Sequence, residues 1–215
     1  MYELIVFDWD GTLMDSEATI VDCLQLAARE LGYATPDRER AKDVIGLGLH
    51  QAIAKLFPGV ADAEVDALAN QYRQHFLRKD RAPSPLFPGA RELLEELASK
   101  GYFLAVATGK SRRGLDMELE STGLKSLFHA TRCADEAFSK PHPQIMLDVL
   151  DFLGMASQQA LVVGDTEYDM QMAINAGSTA IGISHGVHSA ERLREHGAQV
   201  VVDELPQIAD WLGKL

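Results

Sequence analysis

The chain has 215 residues, enough for one domain with a modest insertion, and its 47% hydrophobic and 24% charged residues exclude a disordered chain. With 20 Lys and Arg against 32 Asp and Glu the formal charge is −12, a balance that repels nucleic-acid phosphates and anionic membrane surfaces. No stretch approaches the ~20 apolar residues that span a bilayer.

The opening MYELIVFDWD has no basic start of the kind a secretory leader carries. Its apolar run at 3–7, rich in Ile and Val, reads as a buried strand that ends at Asp8. Between 14 and 88 no strand pattern appears. Ile20, Cys23, Leu24, Ala27 and Leu31 keep helical spacing, with Ser16 as N-cap and Gly32 as stop. Further helices are predicted over 48–57 and from 62 to about 79. The three prolines of RAPSPLFPGA (81–90) then return the chain to a different pattern. Apolar runs at 103–107, 160–163, 179–183 and 199–202 alternate with helical stretches, one of them at about 142–153, which implies a parallel sheet. The expected architecture is α/β: a doubly wound parallel core from 1–14 and 87–215, with a helical cap inserted at 15–86. Cys23 and Cys133 sit among apolar neighbours at no metal spacing and read as buried thiols in a cytoplasmic protein.

Four segments carry chemistry, and each follows a strand or opens a helix, where open parallel sheets bind ligands. In FDWDGTL (7–13), Asp8 stands at a strand end, where a carboxylate can attack phosphorus. Asp10 is placed to protonate the leaving oxygen and then activate water, provided the chain turns tightly at Gly11. In ATGKS (107–111), the Thr108 hydroxyl and the following N–H groups suit phosphoryl oxygens, and Gly109 allows close approach. In SKPHP (139–143), Lys140 precedes a helix, where an ammonium can neutralise carboxylate and phosphate. In LVVGDTEYD (161–169), Asp165 follows a strand, and Asp169 lies in the first turn of a helix starting near Thr166. Singly, each segment also suits an ordinary turn or N-cap. Together they crowd four carboxylates and a phosphate around one lysine, and that charge demands a divalent cation.

The order D-x-D-G-T, Thr, Lys-Pro, G-D-x-x-x-D resembles the haloacid dehalogenase superfamily of phosphohydrolases, in particular its phosphoglycolate phosphatase-like branch. The resemblance runs through nearly the whole chain, including the helical cap. It implies Asp8 as nucleophile and Asp10 as acid/base, with Thr108 and Lys140 on the phosphoryl group. Gly11, Thr12, Gly109 and Lys110 would line the same pocket. The implied cofactor is Mg2+, held by Asp8, the carbonyl of Asp10 and Asp165, with Asp169 supporting. True dehalogenases lack the second aspartate.

Two departures stand out. Trp9 replaces a common aliphatic residue, a change expected to affect packing, and Gly109 stands where the branch often has Asn. In the cap, IGLGLHQAI (45–53) resembles a specificity loop. Gly46, Gly48, His50 and Lys55 are its candidate substrate contacts. His185 and His188 have H-x-x-H spacing but lack the surroundings of a zinc site. The expected substrate is a small phosphorylated metabolite, with no nucleic-acid or membrane partner and a monomer or weak homodimer as the assembly. A phosphotransferase or phosphosugar mutase on the same fold is the alternative, and a non-catalytic interaction module a third.

Overall fold

The computed structural model describes residues 2–78 and 82–214. Its strands are β1 (Leu4–Phe7), β2 (Phe103–Thr108), β3 (Ala130–Cys133), β4 (Ala160–Gly164), β5 (Thr179–Ile183) and β6 (Val200–Val202). They form one sheet in the order β3-β2-β1-β4-β5-β6, and every pairing is parallel. The helices are α1 (Glu17–Glu30), α2 (Arg38–Lys42), α3 (Leu49–Leu56), α4 (Asp62–Phe76), α5 (Ala90–Ser99), α6 (Arg112–Thr122), α7 (Gln144–Leu153), α8 (Glu167–Asn175), α9 (Ala190–Glu195) and α10 (Pro206–Leu212).

Strand β1 shows why the sheet is buried on both faces. Ile5 and Phe7 join a core cluster with residues of α5, α6 and α10. Leu4 and Val6 join the opposite cluster with residues of α7, α8 and α9. A two-sided strand must be apolar throughout, as this one is. Met170 and Met172 of α8 are filler in the second cluster. The strand order reverses between β1 and β4, which makes the crevice beyond their C-terminal ends the natural ligand position.

Helices α1 to α4 pack around a third cluster of their own, which includes Ile20, Leu24, Ile53, Leu68 and Phe76. The chain leaves and rejoins the sheet side by side, with Asp15 N–H donating to Pro85 O and Phe87 N–H to Leu13 O, both at 2.9 Å. Helix α4 ends at Phe76, and the predicted end at Lys79 lies outside the described residues. Ser16 precedes α1 but makes no side-chain cap bond; its hydroxyl serves Asp10 instead. Both cysteines are buried thiols and form no disulfide. Among the described residues, no helix is long and apolar enough to cross a membrane.

Candidate active site

Three adjacent strands deliver the polar groups to one place. Asp8 follows β1, and its N–H still donates to Val163 O of β4 at 2.9 Å. Thr108 is the last residue of β2, and Asp165 follows β4 directly. Asp8, Asp10, Thr108, Lys110, Lys140, Asp165 and Asp169 are all buried.

The Lys140 ammonium lies 2.8 Å from Asp8 Oδ1 and 2.6 Å from Asp169 Oδ1, with no solvent exposure. The contact to Asp8 is an ion pair without hydrogen-bond alignment, and among the described residues Asp8 Oδ2 has no donor at all. Burial is the main reason that the Asp8 carboxyl is pushed up to about 7. Lys140 pulls it back, and Asp169 and Asp10 push it further. Asp165 is raised by burial and by the charges of Asp8 and Asp169. Lys140 is raised: burial opposes its charge, but Asp169 and Asp8 outweigh burial.

Asp165 and Asp169 are held by short local bonds. Asp165 accepts from Thr12 Oγ1 at 2.7 Å and from the Val187 N–H at 2.8 Å. Gly11 has φ +85°, and a side chain there would stand 2.2 Å from Asp165 Oδ2, so the tight turn and the close approach both require glycine. Asp169 Oδ2 accepts from the hydroxyl and N–H of Thr166, which caps α8.

Gly11 and Thr12, expected on the substrate, therefore support Asp165 and lie outside the cavity wall. Asp8, Asp165 and Asp169 present oxygens within 4.8 Å of one another. Counting Asp10 and Glu118, five carboxyls are buried here against the two ammoniums of Lys110 and Lys140. A buried all-oxygen set, an excess of negative charge and one oxygen without a donor fit a hard divalent cation such as magnesium.

Asp10 opens a second network. Its Oδ1 accepts from Ser16 Oγ at 2.6 Å and lies 3.0 Å from the Lys110 ammonium. Lys110 also pairs with Glu118 at 3.3 Å, and its ammonium sits 4.3 Å from the ring centre of Phe76 on α4. Glu118 Oε2 in turn accepts from the Trp9 indole N–H at 2.6 Å. Trp9 does pack in the core, edge-on to Phe128, but it also anchors this polar chain, which packing alone did not anticipate. Ser16, Glu118 and Thr166 were not predicted as site residues.

Above the strand ends lies a cavity of about 400 Å³, walled on one side by the helical insert. Gly46, Gly48, His50, Gly109 and Lys110 line it together with Asp8, Asp10 and Thr108. Gly48 N–H donates to Ser139 Oγ at 2.7 Å. His50 pairs with Asp66 at 3.0 Å.

Lys55 does not reach the cavity. Its ammonium bonds Tyr168 Oη at 2.6 Å and Asp43 at 2.9 Å, tying the insert to α8. Nor do the two histidines form a metal pair. His185 Nε2–H donates to Thr12 O and the ring stacks on Phe87, while His188 Nδ1 accepts from the Glu167 N–H.

Comparison with known proteins places the chain in a family. The chain is 37% identical over 212 residues to a Dickeya dadantii protein named "Probable phosphatase IndB", covering 97% of this chain and 92% of that one. It is 34% identical over 223 residues to a phosphoglycolate phosphatase of Rhodospirillum rubrum, covering 99% and 92%. The fold matches the crystal structure of a hydrolase from Pseudomonas syringae with a TM-score of 0.90 at 23% identity, over 100% of this chain and 99% of that one. The profile of haloacid dehalogenase-like hydrolases matches residues 5–183, most of the sheet and the whole insert. The chain belongs to the haloacid dehalogenase-like hydrolase family.

Proposed function

We propose that this protein is a magnesium-dependent phosphatase that hydrolyses phosphate monoesters through a phosphorylated Asp8. The observation that carries the reading is the buried Asp8 carboxylate, with one oxygen beside Lys140 and the other without a donor, on the wall of a cavity between core and insert. The phosphatase names of its relatives support the same reaction class.

In this scheme the phosphate rests against Thr108 and the N–H groups that follow it, with Lys140 neutralising charge. An Asp8 oxygen attacks phosphorus, and the bond from phosphorus to the alcohol oxygen breaks. Asp10 gives its proton to that leaving oxygen, and the alcohol departs. The Asp10 carboxylate then takes a proton from water as the water oxygen attacks phosphorus. The bond to Asp8 breaks, inorganic phosphate forms, and Asp10 ends protonated as it began. Asp8, the carbonyl of Asp10 and Asp165 would hold magnesium, with Asp169 in support. The bound ion supplies charge neutralisation at the phosphoryl oxygens.

Residues 15–86 serve as a cap over a core of 1–14 and 87–215. The cap closes the cavity against bulk water and opens for exchange. The test is a panel of phosphate esters with inorganic phosphate as readout. Turnover by the native chain with magnesium, and none by Asp8→Asn, is the expected result. Equal turnover by both would rule out Asp8 as nucleophile.

A further inference from the structure

Resting on the phosphatase reading, we propose that the alcohol part of the substrate is a flat, mostly apolar ring system, aromatic or heteroaromatic, and not a two-carbon acid or an open sugar. The two halves of the cavity differ in kind. Its floor carries Asp8, Asp10, Thr108 and Lys110, which suit a phosphoryl group. Its cap side carries Leu24, Ile45, Leu47, Leu49, Tyr72 and Phe76. Tyr72 and Phe76, one turn apart on α4, are stacked with ring centres 5.5 Å apart and planes 15° apart, and they present an aromatic wall.

The cations of the cap are mostly committed elsewhere. Lys55 is bound to Asp43 and Tyr168, Arg38 and Lys42 pair with Glu17, and Arg40 bonds Leu56 O. The polar side chains on the cap side are few: Gln51, Arg73, bonded to Asn70, and His50, paired with Asp66.

Size and chemistry point the same way. A cavity of about 400 Å³ falls within the range that encloses drug-sized ligands and far exceeds what glycolate fills. Sugar hydroxyls turned toward aliphatic side chains lose water without gaining partners, at a cost of roughly tenfold in affinity per group. A planar ring instead gains by burial and by aromatic contact with Tyr72, behind which Phe76 is held by Tyr72 and the Lys110 ammonium. Arg73 gives such a ring one cationic edge to meet.

The test compares esters of alkyl alcohols, so that leaving-group acidity stays nearly constant. kcat/KM is measured for naphthylmethyl phosphate, benzyl phosphate, ethyl phosphate, 2-phosphoglycolate and glucose 6-phosphate. The expected order puts naphthylmethyl phosphate about 30-fold or more above ethyl phosphate, mainly through KM. Tyr72→Ser should shrink that ratio about tenfold, and Tyr72→Leu, which keeps an apolar wall, should restore part of it. Preference for 2-phosphoglycolate or glucose 6-phosphate overturns the ring assignment and leaves the phosphatase standing. So does a ratio that Tyr72→Ser does not move. No turnover of any ester, p-nitrophenyl phosphate included, overturns the phosphatase reading and this inference with it.

A separate observation carries a second assignment: the geometry points to Glu118 as a positioning residue for Asp10. Asp10 Oδ1 is occupied by Ser16 and Lys110, while Oδ2 accepts no hydrogen bond from a described residue. One oxygen is thus held back, and the other is left for the leaving oxygen. Lys110 lies between Asp10 and Glu118, and the Trp9 indole holds Glu118 in turn. Glu118→Gln keeps an acceptor for Trp9 but releases Lys110. It should lower kcat for ethyl phosphate about tenfold more than for p-nitrophenyl phosphate, which needs little protonation as it leaves, with KM within about twofold for both. Trp9→Phe should act in the same direction, more weakly. A fall in Tm with both esters slowed equally would make Glu118 a packing residue and overturn the assignment.

Discussion

Gly109 is where a single methyl group should separate catalysis from folding. A Cβ on Gly109 would stand 2.6 Å from the carbonyl oxygens of both Gly46 and Leu47, where ordinary contact begins at 3.4 Å. Both atoms are backbone, so no side chain can swing aside; the 46–48 loop must retreat by about 0.8 Å or the cap must open. Overpacking of this size typically costs ~1–3 kcal/mol. If opening relieves it, the closed population falls by about 5–150-fold. Gly109→Ala should then lose about tenfold in kcat/KM with Tm nearly unchanged, and the bulkier Gly109→Asn should lose more. If the strain stayed inside the folded state, Tm would instead drop by about 2–4 °C per kcal/mol for a chain of this size. The assay pairs steady-state kinetics on one ester with a thermal melt. Native kcat/KM in Gly109→Asn would mean that the cap loop does not sit against Gly109 during turnover.

Further outcomes follow from the buried charges. Asp8→Asn should abolish turnover by many powers of ten. It should also raise the melting temperature of the chelated protein, since it removes a carboxylate that burial disfavours; a clear drop would contradict the charge argument. Magnesium at a hundred times its Kd should add about 2.7 kcal/mol of stability, seen as a rise of about 5–11 °C, with activity lost in chelator and calcium inhibitory. An unchanged melt with and without magnesium would remove the metal from Asp8, Asp165 and Asp169.

His188 is pushed down to about 4, first by burial and then by Arg192. Its stabilising contribution is present above about 6.5 and is lost as pH falls toward 4, about 2 kcal/mol of it between pH 7 and 5. Replacement by Asn, which keeps an acceptor for the Glu167 N–H, should flatten the pH dependence of the urea midpoint by that amount. Identical pH slopes in both proteins would refute this.

Much of the fold was legible because the sheet is buried on both faces. Five of the strands are short apolar runs, and Asp8, Thr108 and Asp165 stand at the ends of three of them. The strand that sequence missed, Ala130–Cys133, is an edge strand paired only to β2, and its middle residues Thr131 and Arg132 are half exposed. It therefore has no apolar run to read. Helix α2, with the sequence RERAK, is too short and too charged to show periodicity.

The site divides in the same way. Asp8, Lys140, Asp165 and Asp169 converge as their positions after strands and before helices implied. Glu118 meets Trp9 across 109 positions of sequence, a pairing that only the packing of α6 on the sheet creates. Lys55 lies away from the cavity for a related reason: helical spacing does not say which neighbour a helix face will meet, and here it meets Asp43 and Tyr168.

The central claim is a covalent phosphoryl group on Asp8. Native protein mixed with excess ester and magnesium, quenched in acid within milliseconds and digested, should yield the peptide containing Asp8 with the mass of one added phosphoryl group. Hydroxylamine should remove that group, as it does from an acyl phosphate. Rapid turnover with no such peptide at any quench time, or with the phosphoryl group on another residue, would contradict the account.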